Sequence, residues 1–432
     1  TSASSPANRA ETRTRSRARP SCWDTSRATH DAVFNPDRST VTPLRSNAAN
    51  TDARRASNAR CSTSMERAAA ISSSAEHPTT ASVRSDNPTG DMRTSVRFAA
   101  DNEPGHARRP GPDTVAAMHA VTIAEGRLEW TEHPDPVPGS GEVLVRVRAA
   151  GLNGADGLQL RGLYPAPPGS PADIPGLELA GEVVELGGGV TRWSVGDRVM
   201  AVVGGGAQAE LAVVQERHLL AVPDGLDWAE AGGFPEAFTT AHDALFTQCE
   251  LTLGERVLVH GAAGGVGVAG VQLAAAAGCT VVATVRNPAR RPDVEALAPG
   301  VTAVQPEGFE AHGSYDVILE LVGAPNLPAD VAALATGGRI AVIGVGAGAR
   351  AEVPLLALMA ARGRIHGSTL RARSLEDKAA AARAVERHVL PLLADGRVRV
   401  PLLDTFAMAD ASAAYERFAA GGKLGKIVLT TT

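Results

Sequence analysis

Cysteine is scarce: the 432 residues hold four, Cys22, Cys61, Cys249 and Cys279, far apart and with no CxxC or metal-ligand spacing. That excludes a disulfide framework and a zinc knuckle, favours a reducing compartment, and makes the cytoplasm the expected location. Long apolar runs are missing as well. Arg, Asp or Gly breaks each candidate before the roughly 18 residues a membrane span needs, so no membrane partner is expected. Lysine is absent from the first 117 residues, which carry 17 Arg against 12 Asp plus Glu; the total of −5 therefore leaves −10 for the rest.

That first part, for example "TSASSPANRAETRTRSRARPS", is rich in Ser, Arg, Ala and Thr and follows neither a period of 2 nor one of 3.6. It reads as a disordered extension over residues 1–117. Asp and Glu are scattered through it, which argues against a transit peptide, and nucleic-acid contact is not expected. A clean domain start, "MHAVTIAEGRLEW", follows at Met118, so the extension is read as translation from upstream of the natural start. Peptides from before Met118 in the native protein would sink that reading.

From Met118 short β-rich runs ("HAVTI", "EVLVRVRAAG", "LAGEVVELG", "DRVMAVV", "AELAVV") are divided by Gly, Pro and Asp turns, the pattern of an all-β unit. After "FPEAFTTAHDALFTQC", which has helical spacing, apolar strands ("RVLVHG", "TVVATV", "YDVILELVG", "RIAVIGVG", "RIHGSTL") alternate with helices. Such alternation predicts a doubly wound parallel sheet of the Rossmann type, an α/β fold. A charged helix after Arg373 leads to "GKIVL", a strand expected to return to the first domain. The predicted division is 118–239, 240–373 and 374–432.

The stretch "VLVHGAAGGVGVAGVQLAAAAG" joins the first of these strands to a helix through a string of glycines. A tight turn needs residues that tolerate positive φ, and a phosphate reaches backbone N–H groups only where side chains are missing. Two registers fit, GxxGxxG from Gly261 and GxGxxG from Gly265 to Gly270; the first starts straight after the strand and is preferred. Gly261, Gly264, Gly265, Val266 and Gly267 are then the pyrophosphate cradle at a helix N-terminus. NAD-binding folds place an acid after the second strand, on the ribose 2′-hydroxyl. Here "VVATVRNPARRPD" has none before Asp293 and offers Arg286, Asn287, Arg290 and Arg291 instead, as a 2′-phosphate requires; NADPH is the expected cofactor.

The motifs "AAGLNGADGLQLRGLYPAPPG", "IPGLELAGEVVELG", "VGDRVMAVVGGGAQAELAVV", "FPEAFTTAHDAL" and "GAAGGVGVAGVQLA" resemble the medium-chain dehydrogenase/reductase superfamily. Within it they are similar to the zinc-free quinone oxidoreductases related to zeta-crystallin, above all the stress-induced NADPH:quinone reductase branch. The resemblance runs from Met118 to Thr432 and implies a GroES-like catalytic domain around an inserted Rossmann domain. Zinc enzymes of the superfamily use a Cys and a GHE motif; here the matching positions fall around Asn153 and on Leu177, so no metal is expected.

Hydride transfer from the nicotinamide to a quinone or enone builds negative charge on the acceptor oxygen, which hydrogen bonds must meet. Among only three tyrosines, Tyr164 matches the family's cleft tyrosine and is the expected donor. Asn153 and Thr240 match positions beside the nicotinamide. Gly323, Gly344 and Val345 follow strand ends where the dinucleotide lies, and Arg371 and Lys426 are candidate cationic partners. Departures are Leu158, in place of a second cleft tyrosine, and Pro306, in place of an aromatic near the 2′-phosphate. Two other functions stay open: an enoyl-thioester reductase, and a non-catalytic NADPH- or RNA-binding crystallin-like protein. A homodimer is the family's usual state.

Overall fold

The computed structural model describes residues 117–431; the predicted N-terminal extension, with Cys22 and Cys61, lies almost wholly outside them. Chain order begins with a hairpin of β1 (Ala117–Ala124) and β2 (Arg127–Pro134), turned by Glu125 and Gly126, both at positive φ as a two-residue hairpin turn demands. Next come β3 (Glu142–Gly151), α1 (Gly154–Leu160), β4 (Glu178–Leu186), β5 (Arg198–Val202), β6 (Leu211–Gln215) and β7 (Leu219–Ala221). Two short helices, α2 (Trp228–Gly232) and α3 (Pro235–His242), lead out of this unit.

The second unit holds β8 (Arg256–Val259), α4 (Gly265–Ala276), β9 (Thr280–Thr284), α5 (Arg291–Glu295) and β10 (Val301–Val304). It continues with β11 (Tyr315–Glu320), α6 (Leu327–Ala332), β12 (Leu334–Val342), α7 (Leu355–Ala361) and β13 (Arg364–Gly367). The chain then returns through α8 (Leu375–His388), α9 (Leu390–Ala394), β14 (Leu402–Ala407), α10 (Ala411–Ala419) and β15 (Lys426–Thr430).

The six strands of the second unit are parallel in the order β10-β9-β8-β11-β12-β13, the doubly wound arrangement whose strand order reverses between β8 and β11. Strand β11 is buried on both faces, as helices above and below require. Helix α4 lies close on this sheet because its residues are small: a Cβ on Gly270 would stand 2.6 Å from Leu319 Cδ2. The other sheet runs β14-β15-β3-β4-β5-β7, with β6 paired to β3. Strand β15 is antiparallel to β3, so the closing "GKIVL" does return to the first domain.

Candidate active site

The glycine turn is built from backbone. Gly261 has φ +62°, and Gly264 caps α4 in extended conformation, its carbonyl accepting the Val268 N–H at 2.8 Å. The amides of Gly265, Val266 and Gly267 are therefore first-turn donors without an intrahelical acceptor. A Cβ at Gly267 would meet the Gly261 carbonyl oxygen at 2.5 Å and Ala262 Cα at 2.6 Å; this glycine lets the helix press on its own turn. At Gly264 the nearest atom to such a Cβ is 3.5 Å away, so folding alone leaves room there for a side chain. Gly323, at φ +112°, and Gly344 close the neighbouring strand ends. A Cβ on the first would lie 2.8 Å from Val345 Cα, and one on the second 2.2 Å from the Leu321 carbonyl oxygen. These residues fit a dinucleotide lying across the strand ends.

Beyond β9, Arg286 and Asn287 are exposed. The Asn287 side chain accepts from the Ala289 amide. Arg290 is partly committed, bonding Asp293 at 3.0 Å and the Gly422 carbonyl at 3.3 Å, and Arg291 donates to the Val285 carbonyl.

Beneath this turn lies a buried group that the sequence did not single out. His260 bonds Asp330 at 2.8 Å and Thr284 at 3.0 Å. Glu320 accepts the amides of Val322 and Gly323, at 2.5 and 2.7 Å, and so shapes the loop that holds Gly323. Burial lowers the His260 pKa and pushes Asp330 up to about 7.

The centre between the two units is polar and enclosed. Lys426 Nζ donates to Glu178 Oε1 at 2.5 Å, Asn153 Oδ1 at 2.8 Å and the Leu152 carbonyl at 3.0 Å. Asn153 Nδ2 donates to Glu178 Oε1 at 2.9 Å, and the Glu236 amide to Glu178 Oε2 at 2.8 Å. Asp156 accepts the Asn153 amide through Oδ2 at 2.8 Å, while its Oδ1 is buried without a partner; burial pushes this carboxyl up to about 7. Glu236, half-buried at the start of α3, is likewise pushed up by burial, to about 8, with neighbouring Glu178 adding to the shift. Its only side-chain hydrogen bond among the described residues is with the Thr240 hydroxyl, at 3.4 Å. The hub abuts the glycine turn: a Cβ on Gly265 would lie 2.8 Å from Lys426 Cδ, and the Gly425 amide donates to the Ala263 carbonyl at 3.0 Å.

Three expected site residues, Asn153, Thr240 and Lys426, thus meet in or beside one cluster with Glu178, Asp156 and Glu236. The last three were not singled out. The available signal was Glu178 within "GLELAG", a charge flanked on both sides by apolar residues and glycine. Tyr164 stands apart in the Pro-rich loop, half-buried, with its hydroxyl 3.0 Å from the Thr369 hydroxyl. Arg371 is buried and bonds the carbonyls of Gly204 and Tyr164, each at 2.8 Å, and Gln159 Oε1 at 2.5 Å, while stacking on the Tyr164 ring at 4.9 Å. Its donors are turned to protein acceptors, so it positions the tyrosine loop.

The same geometry tests a catalytic metal. Leu177 offers no lone pair and is buried, Asn153 Oδ1 and Glu178 Oε1 accept from the Lys426 ammonium, and Glu178 Oε2 accepts the Glu236 amide. This donor set does not fit zinc. Among the described residues the metal-capable grouping of His260, Glu320 and Asp330 lies elsewhere, fully buried and already joined by the His260–Asp330 hydrogen bond.

Comparison with known proteins agrees with the fold. Residues 139–224 match the alcohol dehydrogenase GroES-like domain, and residues 300–429 match the zinc-binding dehydrogenase family. A quinone oxidoreductase from Pseudomonas aeruginosa is 32% identical over 315 residues, covering 70% of this chain and 95% of that protein. A polyketide synthase from Streptomyces halstedii is 38% identical over 221 residues, half of this chain but 4% of its own length. The crystal structure of an alcohol dehydrogenase superfamily protein from Novosphingobium aromaticivorans superposes with TM-score 0.66 at 28% identity, over 73% of this chain and all of the other. The chain belongs to the medium-chain dehydrogenase/reductase superfamily, with a GroES-like domain joined to a Rossmann-like sheet, and is an oxidoreductase of that class. A nicotinamide dinucleotide is the cofactor of that superfamily.

Proposed function

We propose that this protein uses NADPH to reduce a quinone or an α,β-unsaturated carbonyl without a metal. The observation that carries the reading is the Lys426–Glu178–Asn153 hub, in which the polar atoms are bonded to one another, while Asn153 and Leu177 occupy the positions that match the Cys and His of the zinc enzymes. The exposed Arg286 beside Arg290, with no acid on β9, supports the 2′-phosphorylated cofactor. The match to the Pseudomonas quinone oxidoreductase supports the acceptor class.

Bound NADPH supplies the hydride. The amides of Gly265, Val266 and Gly267 hold the pyrophosphate, and Asn153, fixed by Lys426 and Glu178, orients the nicotinamide end. Tyr164, held at the loop by Arg371 and Thr369, donates to the acceptor oxygen as negative charge develops. An enoyl thioester is the second acceptor class, favoured by the partial match to a polyketide synthase. The protein works as a cytoplasmic homodimer in this reading. The dimer has support in the edge strand β13 beside α7, where Leu355, Leu356 and Met359 are 66%, 81% and 70% exposed.

NADPH oxidation measured over quinones, enones and crotonyl-CoA separates the acceptor classes, and absence of turnover with all three overturns the proposal. Tyr164→Phe should keep nucleotide affinity and lower turnover by about tenfold or more.

A further inference from the structure

Three carboxyls, Asp156, Glu178 and Glu236, share the hub with one ammonium, that of Lys426. Glu178 is saturated by Lys426, Asn153 and the Glu236 amide, and Asp156 is fully buried with Oδ2 tied to the Asn153 amide. Glu236 differs: it is half-buried, its side chain accepts one long hydrogen bond from the Thr240 hydroxyl, and it sits on α3, where its neighbour Ala237 has its Cβ 3.8 Å from the Cβ position of Gly265. An acid that is weakly bonded, beside a hydroxyl and next to the dinucleotide turn has the attributes of a proton donor.

We propose that Glu236, with the Thr240 hydroxyl as relay, delivers the proton that accompanies hydride transfer and thereby balances charge in the cleft. This rests on the reductase reading above. Reduction of an enone adds a hydride at one carbon and a proton at the other. The Glu236 O–H bond breaks, its proton passes through the Thr240 hydroxyl to the substrate, and the electron pair stays on the carboxylate, which regains a proton from water. The new negative charge on Glu236 arises as the cofactor becomes its positively charged oxidised form. Burial keeps the acid protonated near neutral pH. The groups facing it are Glu178 on β4, Asp156 on α1, Lys426 on β15, and more distantly Arg371 and Lys378, whose positive charges act on the carboxylate form.

The test needs no turnover in its first arm. In the wild type, affinity for NADP⁺ relative to NADPH should rise about tenfold between pH 6 and pH 9 as the carboxylate forms. Glu236→Gln should abolish the part of that rise above pH 7, and Asp156→Asn should leave it in place. In the second arm Glu236→Gln should lower kcat by about 10²-fold and remove its high-pH decline, and Glu236→Asp should restore both in part. Thr240→Val should lower kcat while preserving the pH-dependent binding ratio. A binding ratio unchanged by Glu236→Gln overturns the proposal even if no acceptor is found. Full turnover in Glu236→Gln overturns it with the reductase reading intact. Wild-type binding without any turnover overturns that reading instead.

Discussion

The ammonium of Lys426 lies 2.5 Å from Oε1 of Glu178, joining the C-terminal strand β15 to β4 across 248 residues of chain. Both groups are buried, so each is tolerable only because the other is there. Lys426→Met should cost about 3–5 kcal/mol of stability, because it leaves a buried carboxylate without its counter-charge. Adding Glu178→Gln should recover much of that loss while keeping an acceptor for the Glu236 amide. Chemical denaturation of the two variants checks both statements.

The glycines of the turn should separate into two kinds. Gly267→Ala forces a Cβ to within 2.5 Å of a backbone oxygen, so it should lower stability and weaken NADPH binding by about tenfold or more. Gly264→Ala should melt like the wild type, since its new atom meets nothing nearer than 3.5 Å, and lose nucleotide affinity alone. Thermal melts paired with fluorescence titration of NADPH distinguish the two.

Arg286 is exposed, whereas Arg290 is divided between Asp293 and Gly422. Arg286→Ala should therefore reduce the preference for NADPH over NADH by about tenfold, near 1.4 kcal/mol, and Arg290→Ala by less. The ratio of the two dissociation constants in each variant gives the answer.

Asp156 provides a pH prediction. Its pKa stands at about 7 in the folded protein against 3.8 for an ordinary side chain, so between those values the native state binds a proton that the unfolded chain has released. Its contribution to stability is then present below pH 4 and is lost as pH rises towards 7. Asp156→Asn removes that dependence and should gain stability over the wild type at pH 8. Melting temperatures across pH 5–8 check it; a wild-type and variant gap that does not widen with pH counts against the assignment.

Much of the architecture was legible because it rests on local signals. Alternation in "EVLVRVRAAG" gives β3 residue for residue, and the apolar run "YDVILELVG" contains β11, which ends at Glu320, before its last three residues. "VHGAAGGVG" marks the helix start through its glycines. Strands β10 and β14 were not picked out: "VTAV" is short and "LLDTFA" mixes polar and apolar positions without a clean period. The hub was half legible. Asn153, Thr240 and Lys426 could be placed by motif, but their shared partner Glu178 could not, because a buried acid is recognisable only once the ammonium that neutralises it is known, and that ammonium arrives from the far end of the chain. Arg371 shows the converse: its charge suggested a ligand contact, and folding directs its donors to Gly204, Tyr164 and Gln159.

The hydrogen bond from Gly425 to Ala263 bears on how this enzyme can be re-engineered. It fastens the return strand to the glycine turn, so the nucleotide-binding half is not a cassette that can be lifted out between two cut points. A chimera that exchanges residues 240–373 while keeping the host's own tail pairs a foreign turn with a strand shaped for another. Transplanting the loop before Lys426 together with the turn would preserve that seam, and with it the contact between Lys426 and the first turn of α4.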